Sequence, residues 1–196
     1  MKPTLASGVL DQLFCNARSQ RAWLDSPVSE EQIHALYQLL RQGPTSHNGC
    51  PGRFVFVRSR EGREGLLRAV QGHNAEMVRS APVTVIVGYD IRFHDLLPVL
   101  FSAYDAKAYY EADEGNRLTA ALRNSSLQGA YLMLAARALG LDCGPMSGFD
   151  AEVIDQTFFR DSTWRSNFLC CLGEGDVNRL SDAGPRLEWD KACRFA

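Results

Sequence analysis

The sequence predicts an α+β domain in which several helices surround a small sheet, and three observations support this class. Short β-branched runs alternate along the chain with segments that have the apolar period of a helix. The 196 residues suit one domain, so we expect a single domain over residues 1–196. Hydrophobic residues at 45% and charged residues at 22% are ordinary proportions for a globular protein and argue against disorder.

The first half of the chain predicts three helices and two strands. Apolar residues at helical spacing predict helices over residues 7–16, 30–41 and 61–71. Ser29 and Gln32 have the spacing of a capping box, in which each side chain satisfies a free amide at the helix start. Strands are predicted at residues 54–57 and 82–87, and the second is apolar on both faces, which is typical of a central strand.

The second half is dominated by one long helix, predicted over residues 116–139 with Gly140 as its C-terminal cap. Its centre, residues 130–136, is apolar nearly all round, which indicates burial in the core or at a subunit interface. A further helix is predicted at residues 151–159 and a strand at residues 166–172. Residues 90–115 are rich in aromatic side chains and have no clear period.

Cysteine usage and the absence of targeting signals predict a cytoplasmic protein. The six cysteines form no C-x-x-C pair, and we expect most of them to be small buried apolar residues. Cys170 and Cys171 are adjacent in a predicted strand, so they should face opposite sides of it. The N-terminal apolar run is too short for a signal peptide, and no run reaches the length of a membrane span.

Several functional classes are disfavoured. The net charge of −2 gives no basic surface for nucleic acid. The chain has no phosphate-binding G-x-x-x-x-G-K-[ST] loop, no G-x-G-x-x-G and no G-x-S-x-G motif. Its four histidines lack the H-x-x-x-H spacing of a metal site, so we predict no metal.

Three polar segments carry the candidate site. In residues 18–23 two guanidiniums flank a hydroxyl, which suits a phosphate, although a solvated helix end is the simpler interpretation. The hydroxyls and amide of residues 44–48 suit a polyol chain or the backbone of their own loop. The glycines around residues 144–148 allow a backbone amide to approach a flat ligand, or they form an ordinary turn.

Taken in order, these segments resemble the FMN-dependent nitroreductase family over essentially the whole chain. The family signature R-S-x-R-x-F/W is matched by residues 18–23, and a P-S/T-S-x-N loop by residues 44–48. Asn74 precedes the second strand, and a P-x-x-G-F-D turn is matched by residues 145–150. The stretches GPTS-N, APVT-IV, RNSS-QGAYL and GPMSGFD are most similar to the malonic semialdehyde reductase branch, the HadB/RutE subfamily.

The resemblance implies tightly bound FMN and a role for each matching residue. Arg18, Ser19 and Arg186 would contact the phosphate, and Arg21 would lie near N1 and O2 of the flavin. Pro44, Thr45, Ser46 and Asn48 would line the ribityl chain and the ring edge, and Asn74 would bond the pyrimidine edge. The Ser147 amide would face flavin N5, with Pro145, Met146 and Gly148 along the ring. No residue would act as a protein nucleophile, because the flavin carries the chemistry.

The resemblance also implies a fold, an activity and a partner. The fold would be nitroreductase-like, with a central, mainly antiparallel sheet and an intertwined homodimer that shares each flavin. NADH or NADPH would donate a hydride through flavin N5, and malonic semialdehyde would be reduced to 3-hydroxypropanoate. A broad nitroreductase or quinone reductase is the alternative. Independently of the resemblance, the aromatic-rich, aperiodic residues 90–115 are expected to form a lid over the flavin.

A flavin-binding protein without catalysis stays open as a third interpretation. Ala17, Met77 and Gly184 stand at positions where many family members have cations. Fewer cations would weaken the contacts to the phosphate and to the flavin ring.

Overall fold

A computed structural model describes residues 3–196, and its centre is one four-stranded sheet. The strands are β1 (Gly52–Val57), β2 (Val83–Asp90), β3 (Asp142–Met146) and β4 (Trp164–Gly173). Their order across the sheet is β1-β2-β4-β3, and every neighbouring pair is antiparallel. The predicted α+β class is confirmed, as is the central position of β2.

Helices cover both faces of this sheet. They are α1 (Ser7–Leu10), α2 (Glu30–Leu40), α3 (Arg60–Leu67), α4 (Gly72–Ser80), α5 (Leu97–Leu100), α6 (Ala106–Glu111), α7 (Glu114–Ala138), α8 (Ala151–Phe158) and α9 (Trp189–Ala192). Helices α3, α4 and α8 pack on one face and α2 and α7 on the other, so two separate hydrophobic clusters form. A π-helical turn, Asp11–Cys15, continues α1.

The capping box at the start of α2 is confirmed. The Ser29 hydroxyl accepts a hydrogen bond from the Gln32 amide at 3.2 Å, and the Gln32 side chain accepts one from the Ser29 amide at 2.9 Å. These two bonds satisfy donors that the first helical turn leaves free, which explains why α2 begins where the pattern predicts.

The prediction for Cys170 and Cys171 is also confirmed. Cys170 packs in the cluster beneath α2 and α7, whereas Cys171 packs in the cluster beneath α3, α4 and α8. The prediction that most cysteines are buried holds for only half of them: Cys143 is buried as well, but Cys15 and Cys193 are exposed and Cys50 is half-buried.

The long helix α7 matches its prediction in length, and Gly140 has the left-handed φ of +77° expected of a cap. The expectation that its centre is buried all round is wrong for the single chain, because Ala130 and Tyr131 are exposed. One face of α7 therefore packs on the sheet while another stays open.

Strand β3, helix α4 and the short helices α5, α6 and α9 were not predicted from the sequence. The predicted helix over residues 61–71 ends at Leu67, and α4 begins at Gly72, whose φ is +53°. Strand β3 contains Gly144 and Pro145, residue types that normally argue against a strand. Pro145 is tolerated because β3 lies at the edge of the sheet.

Residues 93–111, which we call the cover segment, form short helical turns beside α7. Phe93, Leu97, Ala106 and Tyr110 are buried there in a third cluster with Ala120 and Ala121 of α7. Within the described range, no helix combines the length and the apolar character needed to cross a membrane.

Candidate functional site

The first candidate segment lies along the outer edge of β3. Ser19 forms a parallel bridge with Cys143, and the Gln20 amide donates a hydrogen bond to the Cys143 carbonyl at 2.8 Å. A Cβ at Gly144 would lie 2.5 Å from the Gln20 carbonyl oxygen, so only glycine allows this close approach. The pairing brings Arg18, Ser19 and Arg21 beside the strand that leads into the 145–148 turn.

The backbone of Pro145 is also directed outward. Because the Cys143 carbonyl faces Gln20 at the outer edge, the alternation of an antiparallel strand places the backbone groups of Pro145 on the same side. The proline therefore costs the sheet no hydrogen bond.

Asn74, near the start of α4, joins this edge of the sheet. Its side-chain amide donates to the Gly148 carbonyl at 2.8 Å, and a Cβ at Gly148 would meet the same nitrogen at 2.8 Å. Asp150 then caps α8 by accepting a hydrogen bond from the Val153 amide at 3.1 Å. We call Arg18, Ser19, Arg21, Asn74, Pro145, Met146, Ser147 and Gly148 the outer-edge set.

The outer-edge set has positive charge that no carboxylate neutralises. Within residues 3–196, no carboxylate lies within 4.0 Å of the guanidinium of Arg18 or Arg21, whereas Arg53 is 2.7 Å from Asp90. Among the described residues, the Arg18 side chain donates to the backbone carbonyls of Cys15 and Ala17 alone, both at 2.9 Å. These two cations are therefore available to an anion.

Arg186 is not brought to this set in the single chain. It lies in the exposed C-terminal tail and donates to the carbonyls of Gly184 and Pro185, at 2.9 and 3.2 Å. Its assignment to the phosphate stays a prediction.

The second candidate segment, residues 44–50, is called the ligand loop. Its polar groups form hydrogen bonds within the loop and to neighbouring elements, and holding the loop's own backbone was one of the two roles considered from the sequence. The Thr45 hydroxyl accepts from the Cys50 amide at 3.1 Å, and the Asn48 side chain donates to the Leu100 carbonyl at 3.1 Å. The Ser46 amide donates to Asn124 of α7 at 2.8 Å. Pro44 is exposed.

The ligand loop and the outer-edge set lie at opposite edges of the sheet. The loop leads into β1, the outer-edge set follows β3, and these are the two edge strands. Three strand spacings separate them, roughly 14 Å across the sheet. The single chain therefore divides the predicted site residues into two groups.

A cavity of about 450 Å³ opens beside the ligand loop. Its walls include Asn48, Cys50 and the cover-segment residues Leu96 and Leu100, together with Gln128 of α7. Gln128 is buried, and its carbonyl oxygen accepts from the Gly52 amide at 2.7 Å. The ligand loop therefore borders a cavity that has an apolar side, formed by Leu96 and Leu100, and a polar side at Gln128.

Several residues near the loop were missed by the sequence analysis. His47 contacts the hydroxyls of Tyr104 and Tyr110 in the cover segment. Asn124 and Gln128 are buried polar residues one helical turn apart in α7. Their i, i+4 spacing places both on one face of the helix, and this pattern could have identified them from the sequence.

One titratable cluster lies apart from both groups. His94, Asp95 and Glu111 approach one another in the cover segment, but the Lys107 ammonium lies 3.1 Å from Asp95 and 3.5 Å from Glu111. A protein cation therefore already lies among these acids. The hydrogen bond from Arg92 is the main reason that the pKa of Asp95 is lowered, and burial lowers the pKa of His94.

Comparison with known proteins identifies relatives over nearly the whole chain. The model of the Nitroreductase family matches residues 16–174. A protein of Ralstonia nicotianae, provisionally named NADH dehydrogenase/NAD(P)H nitroreductase, is 52% identical over 192 residues, which cover 98% of each chain.

Solved structures show the same fold at low sequence identity. A provisionally named nitroreductase of Bacillus subtilis has a TM-score of 0.86 at 22% identity, covering 97% of this chain and all of the other. A provisionally named nitroreductase of Exiguobacterium sibiricum, solved in complex with FMN, has a TM-score of 0.84 at 20% identity, covering 100% and 99%.

Proposed function

This chain belongs to the nitroreductase family, and from that membership we propose that it is an FMN-dependent NAD(P)H oxidoreductase. The name of the Ralstonia relative and the FMN bound to the Exiguobacterium structure support the proposal. The observation that carries it is the pair of unneutralised guanidiniums, Arg18 and Arg21, at an open backbone edge beside Asn74. This arrangement combines an anion site with donors for a flat, polar ring.

The residues present fit FMN. Gly144 and Gly148 allow the Gln20 carbonyl and the Asn74 side-chain amide to approach closely, so the 18–23 segment and Asn74 lie directly against residues 144–148. Arg18 and Ser19, with Arg186, would hold the phosphate through charge-assisted hydrogen bonds. Asn74 and the Ser147 amide would orient the ring, with Pro145, Met146 and Gly148 beside it. Arg21 would stabilise negative charge on the ring. Bound FMN would supply the two-electron transfer between nicotinamide and substrate.

A direct test is FMN binding followed by anaerobic mixing with NADH and with NADPH. We expect a yellow complex that is bleached by at least one of the two nicotinamides. Arg18→Ala and Arg21→Ala should each weaken FMN binding by roughly tenfold or more, since a charge-assisted hydrogen bond contributes about 1.5–3 kcal/mol. Arg60→Ala, which removes an exposed guanidinium paired with Glu64, is the control.

Two results would count against the proposal in different ways. Failure of the wild-type chain to bind FMN would overturn the cofactor assignment. Binding without bleaching by either nicotinamide would leave a flavin-binding protein that has no reductase activity.

We further propose that the active unit is a homodimer in which each flavin contacts both chains. The separation of the ligand loop from the outer-edge set supports this, because a second chain would supply the missing group. Large apolar side chains also remain exposed in the single chain: Leu122 and Tyr131 on α7, and Leu187, Trp189 and Phe195 in the tail. Contact with a partner would remove them from water.

For the second substrate we propose malonic semialdehyde, on the similarity of the GPTS, RNSS and GPMSGFD stretches to that branch of the family. A nitroaromatic compound or a quinone is the alternative, and the name of the Ralstonia relative favours it. Steady-state kcat/KM values for the three substrate classes separate the two. Turnover of the aldehyde far below that of the nitro compound would establish the alternative.

A cytoplasmic location is also proposed. All six cysteines are free thiols, and three of them are accessible or half-buried, which is compatible with a reducing compartment.

A further inference from the structure

The ligand loop has a backbone conformation that its residue types rarely adopt. His47 has φ of +53° and Asn48 has φ of +51°, so both are left-handed, and Cys50 follows at +42°. Asparagine and histidine occur in this region more often than most residues, but it is uncommon for any residue other than glycine, and cysteine has no such preference. A strained conformation of this kind persists only where its surroundings hold it in place.

The His47 side chain supplies that hold. Its Nδ1 lies 3.0 Å from the Tyr110 hydroxyl, and its Nε2 bonds the Tyr104 hydroxyl, so both ring nitrogens are occupied. Each phenol can donate or accept, so a neutral imidazole satisfies both bonds at once. Tyr110 is almost fully buried in the cover segment, and its hydroxyl also reaches the Ser46 hydroxyl at 3.4 Å.

Aromatic packing surrounds the same ring. The edges of Phe101, Tyr104 and Tyr110 meet the His47 ring at centroid distances of 5.1, 5.6 and 5.4 Å. Tyr109 lies 5.9 Å away in a tilted orientation, and its hydroxyl has no hydrogen bond within residues 3–196. The imidazole is therefore fixed by both hydrogen bonds and edge contacts.

We propose that His47 is a positioning residue for the cofactor, which it serves by locking the ligand loop to the cover segment through Tyr104 and Tyr110. The lock orients its two neighbours, Ser46 and Asn48, for FMN, so this inference rests on the proposed function. The Asn48 bond to Leu100 and the Ser46 bond to Asn124 hold the loop on either side of His47.

Two measurements on the full-length protein test the lock. One is the FMN dissociation constant from quenching of flavin fluorescence, and the other is amide hydrogen exchange of residues 44–50 in protein without added FMN. Tyr104→Phe and Tyr110→Phe should each weaken FMN binding about fivefold to tenfold, the effect of losing one hydrogen bond, and should speed exchange in the loop. Tyr109→Phe is the matched control and should change neither.

A rescue series separates positioning from general damage. His47→Ala removes both bonds and should show the largest change in both measurements. His47→Asn suits the left-handed backbone and places an amide near the position of Nδ1, so it should recover part of the loss. A structural role unrelated to the bonds predicts no such rescue.

The outcomes distinguish this inference from the proposed function. If wild-type protein binds no FMN, the proposed function fails, while hydrogen exchange still reports whether the lock exists. Unchanged exchange in Tyr104→Phe, Tyr110→Phe and His47→Ala would overturn the lock. Faster exchange with unchanged FMN affinity would overturn the positioning role.

Discussion

His94 shows what burial does to a single titratable side chain. It is 1% exposed, and its Nδ1 has no hydrogen-bond partner in the part of the chain that the structure describes. Burial is the main cause of its lowered pKa. Asp95 partly opposes this effect, while Arg117 and Arg92 add to it. The folded protein therefore favours the neutral imidazole.

This state predicts a loss of stability in mild acid. Below the ordinary histidine pKa of about 6.5 the unfolded chain takes up a proton that the folded chain resists, so the free energy of unfolding should fall as pH decreases. Urea unfolding between pH 8 and pH 5 measures this slope. His94→Leu should flatten it, whereas the exposed His73→Gln should not; equal slopes in His94→Leu and wild type would contradict the explanation. Asp95 does not interfere, because its lowered pKa places its titration at more acidic pH.

A second residue-scale prediction concerns the buried partner of Arg53. The Asp90 carboxylate accepts hydrogen bonds from Arg53, from the Arg92 amide and from the Thr163 hydroxyl, at 2.7, 2.8 and 2.6 Å. Asp90→Ala should cost about 3 kcal/mol, because it leaves the largely buried Arg53 guanidinium without its carboxylate partner.

Glu64→Ala is the matched control for Asp90→Ala. It breaks the Arg60 pair on the surface, where the arginine side chain is 93% exposed, and should cost about 1 kcal/mol or less. Chemical denaturation of both variants gives the comparison, and similar losses in the two would refute the argument.

At the scale of elements, the backbones of β3 and the 18–23 segment approach each other closely at Gly144. A methyl group at Gly144 would meet the Gln20 carbonyl at 2.5 Å and the Met77 side chain at 2.7 Å. Gly144→Ala should therefore push the segment off the strand, cost about 1–3 kcal/mol and weaken FMN binding as well.

Gly115→Ala tests whether that loss comes from crowding. Gly115 lies in the first turn of α7, and its nearest Cβ contact is the Asp113 carboxylate at an ordinary 3.4 Å. The alanine should stabilise the helix by up to about 1 kcal/mol. Thermal unfolding of both variants, with FMN titration, checks the opposite signs; a harmless Gly144→Ala would show that the segment is not held there.

The sequence predicted those elements whose formation depends on residues close to them in the chain. The capping box at Ser29 and the apolar run of β2 are set by neighbouring residues, and both were predicted from the sequence. Strand β3 was missed because its stability comes from β4 on one side and the Ser19 segment on the other. No periodicity in its five residues encodes either partner.

The candidate site was predicted only in part for the same reason. The motifs at residues 18–23 and 145–148 were identified, but their pairing depends on contacts more than 120 residues apart. The contribution of His47 depends on a left-handed backbone and on tyrosines in an aperiodic segment, so composition alone could not reveal it.

At the scale of the whole molecule, the position of the two site groups predicts how variants combine. One variant would carry Arg18→Ala and Arg21→Ala, and the other Ser46→Ala and Asn48→Ala. If the proposed dimer forms, each variant on its own should bind FMN weakly. A mixed dimer should contain one intact site, because one chain keeps its outer-edge set and the other keeps its ligand loop. Calorimetric titration of purified mixed dimers measures the stoichiometry.

A flavin site formed within one chain predicts a different FMN stoichiometry for the mixed dimer. If both groups on one chain served the same flavin, each site in the mixed dimer would carry one defect, and tight binding would be absent. Sedimentation of the wild-type protein is the control for assembly. A monomer that binds FMN tightly would refute the shared site.

The adjacent thiols of Cys170 and Cys171 offer a way to follow how this fold opens. They report on opposite faces of one strand, and each is protected from chemistry at neutral pH: burial raises the pKa of Cys171 to about 11, and contact with Cys143 together with burial raises that of Cys170. Alkylation of either thiol therefore requires one helical layer to leave the sheet. Pulsed labelling read by mass spectrometry would show which layer detaches first, with two natural probes separated by a single peptide bond.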